Sequence, residues 1–169
     1  MFGRFAHQHP RFLIRISHHI SQTLQKYHIG HVFIRSEFVS NNSYYFCHDP
    51  TIASKIFDDF KRDGYPNAVA GYELESIRYL GEPGYDSRTA DKKPTLATSK
   101  SSPMLTLRFK NGCVVQLRAS GTEPKFKYYI EMRGEPGVGR EEMEKELMKV
   151  SRLVLEEICR PEQNGLIVP

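Results

Sequence analysis

Leu105-Thr-Leu-Arg-Phe-Lys-Asn-Gly-Cys-Val-Val-Gln-Leu-Arg-Ala-Ser-Gly-Thr-Glu-Pro-Lys-Phe-Lys-Tyr-Tyr-Ile-Glu-Met132 reads as three successive strands joined by two short connections. Leu105, Leu107 and Phe109 recur at every second position, as do Cys113, Val115 and Leu117, and then Phe126, Tyr128, Ile130 and Met132. That two-residue period is the mark of half-buried strands. The first connection holds Asn111-Gly112, a strong hairpin signal. A two-residue loop would put the first two apolar sets on opposite faces. A three-residue loop, Lys110-Asn111-Gly112 with Gly112 left-handed, brings them onto one face, so the longer turn is expected. Arg118 then shares parity with Val114 and Gln116 and leaves the sheet on the side away from the core.

The second connection, Arg118-Ala-Ser-Gly-Thr-Glu-Pro-Lys-Phe-Lys127, gathers the residue types that hold an anion. Arg118 offers a planar fork of donors suited to two phosphate oxygens, and Lys125 or Lys127 a compact charge. Ser120 and Thr122 add hydroxyl donors. Gly121 permits a backbone conformation closed to other residues, so that successive N–H groups can turn toward one centre. Pro124 stiffens the exit. The other reading is a plain polar turn with a surface salt bridge between Arg118 and Glu123.

Outward from this centre, Glu141 to Cys159 is a helix, with Met143, Leu147, Val150, Val154 and Ile158 on one stripe and acids in its first turns. Pro161 stops it. On the other side, Ala68 to Leu80 reads as a strand with imperfect alternation, and Gly81 to Pro103 as a long loop. Phe38 to Cys47 reads as a strand. Pro50-Thr51 opens a helix carrying Ile52, Ile56, Phe57 and Phe60, and Asp63-Gly64 ends it. His48 beside Asp49 invites an acid–base reading, but Asp-Pro after a strand is ordinary helix-start chemistry. Ile16 to Tyr27 could form a short helix, and His28 to Glu37 reads as an insertion. The expected fold class is α+β, an antiparallel sheet of about four strands flanked by two helices.

The 169 residues suffice for one domain with a core plus extensions. Net charge is +4, but residues 1–36 hold Arg4, Arg11, Arg15, Lys26 and Arg35 and no acid. The remaining 19 basic residues face all 20 acidic ones, so residues 37–169 sum to −1. A nucleic-acid partner would need a basic face on the folded part, and none is expected. Met1 to about Ser17 has a transit-peptide-like excess of Arg over acids but is poor in Ser and Ala. An unstructured tail is expected, with His7, His9, His18 and His19 lacking nearby acidic or cysteine co-ligands for a metal. Cys47, Cys113 and Cys159 are odd in number and widely spaced, which argues against a disulfide framework or a paired-cysteine zinc site and for a reducing cytoplasm. No apolar run approaches the ~18–20 residues that span a bilayer, so no membrane association is expected.

Arg-x-Ser-Gly-Thr-Glu-Pro-Lys followed by a basic residue and an aromatic strand resembles the phosphate-binding loop in the C-terminal domain of the α-D-phosphohexomutases. The resemblance runs from about Phe38 to the terminus. Gly84-Tyr-Asp-Ser87, Asp91-Lys-Lys-Pro94, Ser99-Lys-Ser-Ser102, Asn111-Gly-Cys113 and Asn164-Gly-Leu-Ile167 are most similar to the eukaryotic phosphopentomutase and glucose 1,6-bisphosphate synthase branch. Ala119 departs from the family's usual Pro or Thr without removing a phosphate ligand.

The resemblance implies that residues 38–169 form a phosphate-binding domain of a four-domain enzyme and that residues 1–37 are a basic extension with a remnant helix and an insertion. It implies that Arg118, Ser120, Gly121, Thr122 and Lys125, with Lys127 as a weaker candidate, grip the non-reacting phosphate of a phosphorylated hexose or pentose. In that family a phosphoserine donates the phosphoryl group and magnesium supports the transfer. Neither a Thr-x-Ser-His-Asn loop nor an Asp-x-Asp-x-Asp loop occurs here, so no catalytic residue, metal ligand or cofactor is assigned to this chain. The expectation is a fragment of a mutase; the alternative is a stand-alone, non-enzymatic phosphosugar-binding or regulatory domain.

Overall fold

The computed structural model describes residues 38–135 and 137–169. The helix expected over residues 16–27, the early histidines and the 28–37 insertion lie outside the described residues. The elements are β1 (Phe38–Phe46), α1 (Pro50–Lys61), β2 (Ala68–Val69), β3 (Tyr72–Tyr79), β4 (Tyr85–Asp86), β5 (Met104–Phe109), β6 (Cys113–Ala119), β7 (Lys125–Arg133) and α2 (Arg140–Cys159). All strand pairs are antiparallel, in the order β1-β7-β6-β5-β3-β2, with β4 also on β3.

The α+β class is therefore as expected, but the sheet has seven strands rather than about four. Two of the additional strands are only two residues long. The run from Ala68 to Leu80 is broken by a turn in which Ala70 (φ 53°) and Gly71 (φ 80°) are left-handed, which makes two strands of one. The long loop likewise contributes β4, pinned by Asp86. Its carboxylate accepts from the Arg88 amide (3.0 Å), Nε (3.1 Å) and Nη2 (3.0 Å).

The imperfect alternation in β3 has a cause. Leu74 pairs with Phe109 and Ser76 with Arg108, so Glu75 is an extra residue, a bulge. Leu74 therefore shares the core face with Ile77 and Tyr79, whereas Ser76 and Arg78 turn to the other face.

The β5–β6 hairpin closes through Lys110-Asn111-Gly112, with Gly112 at φ 81° and its N–H donating to the Phe109 carbonyl at 3.1 Å. Leu105 faces Leu117 and Leu107 faces Val115, so both apolar sets lie on one face, as the sequence required. One core row runs Ile130–Val115–Leu107–Ile77 across four strands. Phe57 of α1 packs on this face against Phe126 and Tyr79, with centroids 5.5 and 5.7 Å away. Full burial of such a side chain stabilises by about 1.5–3 kcal/mol. The stripe Met143, Leu147, Val150, Val154 and Ile158 of α2 is buried on the same side.

Helix α1 starts where the sequence placed it. The Asp49 carboxylate accepts from the Thr51 amide at 2.8 Å and Pro50 occupies the first turn. The terminal Asn164-Gly-Leu-Ile167 is stitched to the end of β1: Phe46 N–H donates to the Ile167 carbonyl at 2.8 Å, and Leu166 is buried.

Two outcomes follow for stability. A Cβ at Gly112 would meet the Arg133 carbonyl oxygen at 2.7 Å in a left-handed conformation, so Gly112→Ala is expected to cost about 1–3 kcal/mol or more in urea unfolding. The hydrogen bonds from Arg88 hold the Asp86 carboxyl below its ordinary value of 3.8. A carboxyl lowered by folding stabilises fully above its unfolded value, and that contribution is lost as pH falls through the folded one. Asp86→Asn is thus expected to cost about 1–3 kcal/mol near neutral pH, with the gap to the parent closing below about pH 4. Unfolding curves at a series of pH values read it.

Candidate functional site

Strand pairing continues further into the second connection than the sequence suggested. Arg118 pairs with Lys127 and Ala119 with Phe126, because Ala119 and Phe126 are core residues and extend the buried rows. The irregular loop is only residues 120–124, and Arg118, Lys125 and Lys127 are held by strands. Arg118 is exposed on the sheet face away from the helices, as its parity required.

The loop is closed by its own bonds. Ser120 N–H donates to the Lys125 carbonyl at 3.1 Å, Lys125 N–H to the Glu123 carbonyl at 2.7 Å, and Glu123 N–H to Ser120 Oγ at 3.3 Å. Cys47 N–H donates to the Pro124 carbonyl at 2.8 Å, which ties the loop to the end of β1. Gly121 does not use the backbone freedom expected of it: its φ is not positive. Space is what it supplies: a Cβ there would lie 3.2 Å from the Ser101 carbonyl oxygen, so the loop and the 99–102 segment run side by side.

Between them opens a cleft of about 390 Å³. Ser120, Gly121, Thr122 and Lys125 line one wall; Lys100 and Ser101 line another; His48 and the first turn of α1 line a third. Arg118 and Lys127 do not line it. They stand side by side on the outer face at the root of the loop, where Arg118 Nε donates to Ser102 Oγ at 3.2 Å. The six expected residues thus fall into two adjoining groups.

The salt bridge expected on the plain-turn reading does not form. Glu123 instead takes Lys127 at 2.9 Å and Lys125 at 3.2 Å, and bonds from these two lysines hold its carboxyl below the usual range. Lys125 Nζ also sits 4.8 Å from the centre of the Tyr44 ring. Among the described residues no carboxylate pairs with Arg118.

His48, Lys100 and Ser101 were not singled out as site residues from the sequence. His48 is exposed beside the cap of α1 and stacks on Phe46, with centroids 6.3 Å apart. The available signal for the others was Ser99-Lys-Ser-Ser102, a cation among hydroxyls much like the loop it lies against. Cys47 also lines the cleft, but burial raises its thiol pKa, the opposite of what a reactive thiolate needs. Among the described residues no group of three or more His, Cys, Asp or Glu gathers to hold a metal. No helix among them is long and apolar enough to cross a membrane.

The fold and cleft define an α+β domain that presents cations and hydroxyls at the rim of an antiparallel sheet, chemistry suited to gripping a small anion. The chain is 39% identical over 133 residues to the phosphopentomutase of Homo sapiens, covering 76% of this chain and 22% of that protein. It is 38% identical over 134 residues to the glucose 1,6-bisphosphate synthase of Mus musculus, covering 76% and 21%. It is 35% identical over 137 residues to a probable phosphoribomutase of Schizosaccharomyces pombe, covering 78% and 23%. Over about three quarters of its length the chain is homologous to members of the phosphohexomutase family, as the loop's resemblance suggested. No family model matches it. The chain spans about a fifth of the length of these relatives.

Because the Glu123 ion pairs lie at the surface, Glu123→Gln is expected to leave the urea unfolding midpoint close to that of the parent. A clear fall in that midpoint would show instead that the ion pairs hold the loop in shape.

Proposed function

We propose that residues 38–169 are the C-terminal, substrate-phosphate-binding domain of a phosphoglucomutase- or phosphopentomutase-like intramolecular phosphotransferase of carbohydrate metabolism. One observation carries the reading: a short loop puts Ser120, Gly121, Thr122 and Lys125 on a cleft, with Arg118 and Lys127 at its root. The ligand is a phosphorylated hexose or pentose, in keeping with the names of the relatives. The domain holds the phosphate that does not react. Arg118 supplies a fork for two oxygens, the Ser120 and Thr122 hydroxyls donate to the others, and the lysines offset the charge. Binding energy gained at a remote phosphate serves the reaction by holding the reacting hydroxyl near attack geometry. The phosphoserine and the magnesium of the transfer belong to other domains of the enzyme. Three buried free thiols suit a reducing cytoplasm.

A grip detached from its partner domains binds weakly. A few exposed charge-assisted bonds must offset roughly 4 kcal/mol or more of lost motional freedom. Titration of the full chain with glucose 1-phosphate, followed through the backbone amides by NMR, is expected to move the amides of Ser120 to Lys125 with a Kd on the order of 1 mM. Affinity should fall with added salt. Arg118→Met keeps the stem and removes the fork, so binding should drop while the fold survives; Arg118→Lys should recover part of it. Loop amides that stay still would overturn the assignment.

A further inference from the structure

The cleft has more positive charge than the loop alone brings to it. Lys125 and Lys127 are both engaged by Glu123. Of the two lysines lining the cleft, Lys100 has no carboxylate partner among the described residues. A phosphate monoester carries about −1.5 to −2 charges at neutral pH, more than a lysine already shared with a glutamate neutralises.

The segment carrying Lys100 is also braced against the loop. Ser99 N–H donates to the Leu80 carbonyl at 2.9 Å, and Ser102 N–H to Ser99 Oγ at 3.1 Å, which anchors both ends of the Lys100-Ser101 tip. Ser102 Oγ donates to the Ala119 carbonyl at 2.9 Å and accepts from Arg118 Nε at 3.2 Å, joining that segment to the root of the loop. The close approach of the Ser101 carbonyl at Gly121 completes the seam. The backbone of the Lys100-Ser101 tip is thus held at the cleft beside the 120–125 loop before any ligand arrives, and such preorganisation lowers the ordering cost of binding.

We infer that the 99–102 segment is the second wall of the phosphate site: Lys100 and the Ser101 hydroxyl contact the phosphate monoester gripped by residues 120–125. This rests on the phosphate-binding reading above and adds binding residues to it.

The test is a titration of the full chain with inorganic phosphate and with ribose 1-phosphate. It compares the parent, Lys100→Met, Lys100→Arg, Arg118→Met and, as a control for net charge, Lys110→Met. Lys110 lies in the β5–β6 turn and pairs with Glu73, at the far end of β6 from the loop. The amides of 100–102 are expected to shift together with those of 120–125. Lys100→Met should weaken binding of both ligands about three- to tenfold. Lys100→Arg should stay within about twofold of the parent, because an exposed cation is restored. Lys110→Met should match the parent. If Lys100→Met binds like the parent while Arg118→Met is weakened, the second wall is wrong and the loop grip stands. If Lys110→Met weakens binding as much as Lys100→Met, the effect is one of overall charge and the second wall is wrong. If neither ligand moves the 120–125 amides, the phosphate reading fails and the second wall falls with it.

Discussion

Gly112 in the left-handed conformation lets Lys110-Asn111-Gly112 close the β5–β6 hairpin, and the parity of the loop at the far end of β6 depends on that closure. A strand has two faces, so a slip of one residue would exchange every side chain of β6 between core and solvent. With the observed register, Cys113, Val115, Leu117 and Ala119 go to the core and Arg118 goes out. Ala119 and Phe126 then extend the buried rows, and Ser120 becomes the first residue free to leave the sheet. A backbone angle at one end of a strand thereby decides where a cation stands at the other.

The cleft is assembled from segments far apart in the chain: the end of β1 with the first turn of α1, the 99–102 segment and the 120–125 loop. Backbone bonds keep them together. Cys47 reaches Pro124, Ala119 reaches Pro103, and Leu80 takes bonds from Ser99 on one side and donates to Met104 on the other. Glu123 holds two lysines at the loop's edge and so limits the repulsion between like charges that would otherwise spread them. Its exposure to water makes it a modest organiser rather than a source of stability.

A domain of this kind has a physical role without a nucleophile of its own. On the proposed reading it supplies position. Interactions with a part of the substrate that does not change can be spent on orienting the part that does, which for well-placed groups accounts for several kcal/mol of a barrier. The fifth of the relatives' length that this chain matches is consistent with one module of a larger assembly.

Much of this was legible in residue order alone. The two-residue period of β5, β6 and β7, the three-residue turn at Gly112, the cap at Asp49 and the stripe along α2 are local patterns, governed by backbone geometry and burial within a few residues. The gathering of cations, hydroxyls and a glycine in residues 118–127 was legible for the same reason. The bulge at Glu75, the brief strands β2 and β4 and the true limits of the loop were set by neighbouring strands. So was the reason for Gly121, where the pressing carbonyl of Ser101 lies about twenty positions away. Lys100, Ser101 and His48 came to the cleft only through folding, because no local pattern records which distant segments will share a wall. The sequence determined where cations and hydroxyls cluster along the chain; long-range packing decided which of them face the same space.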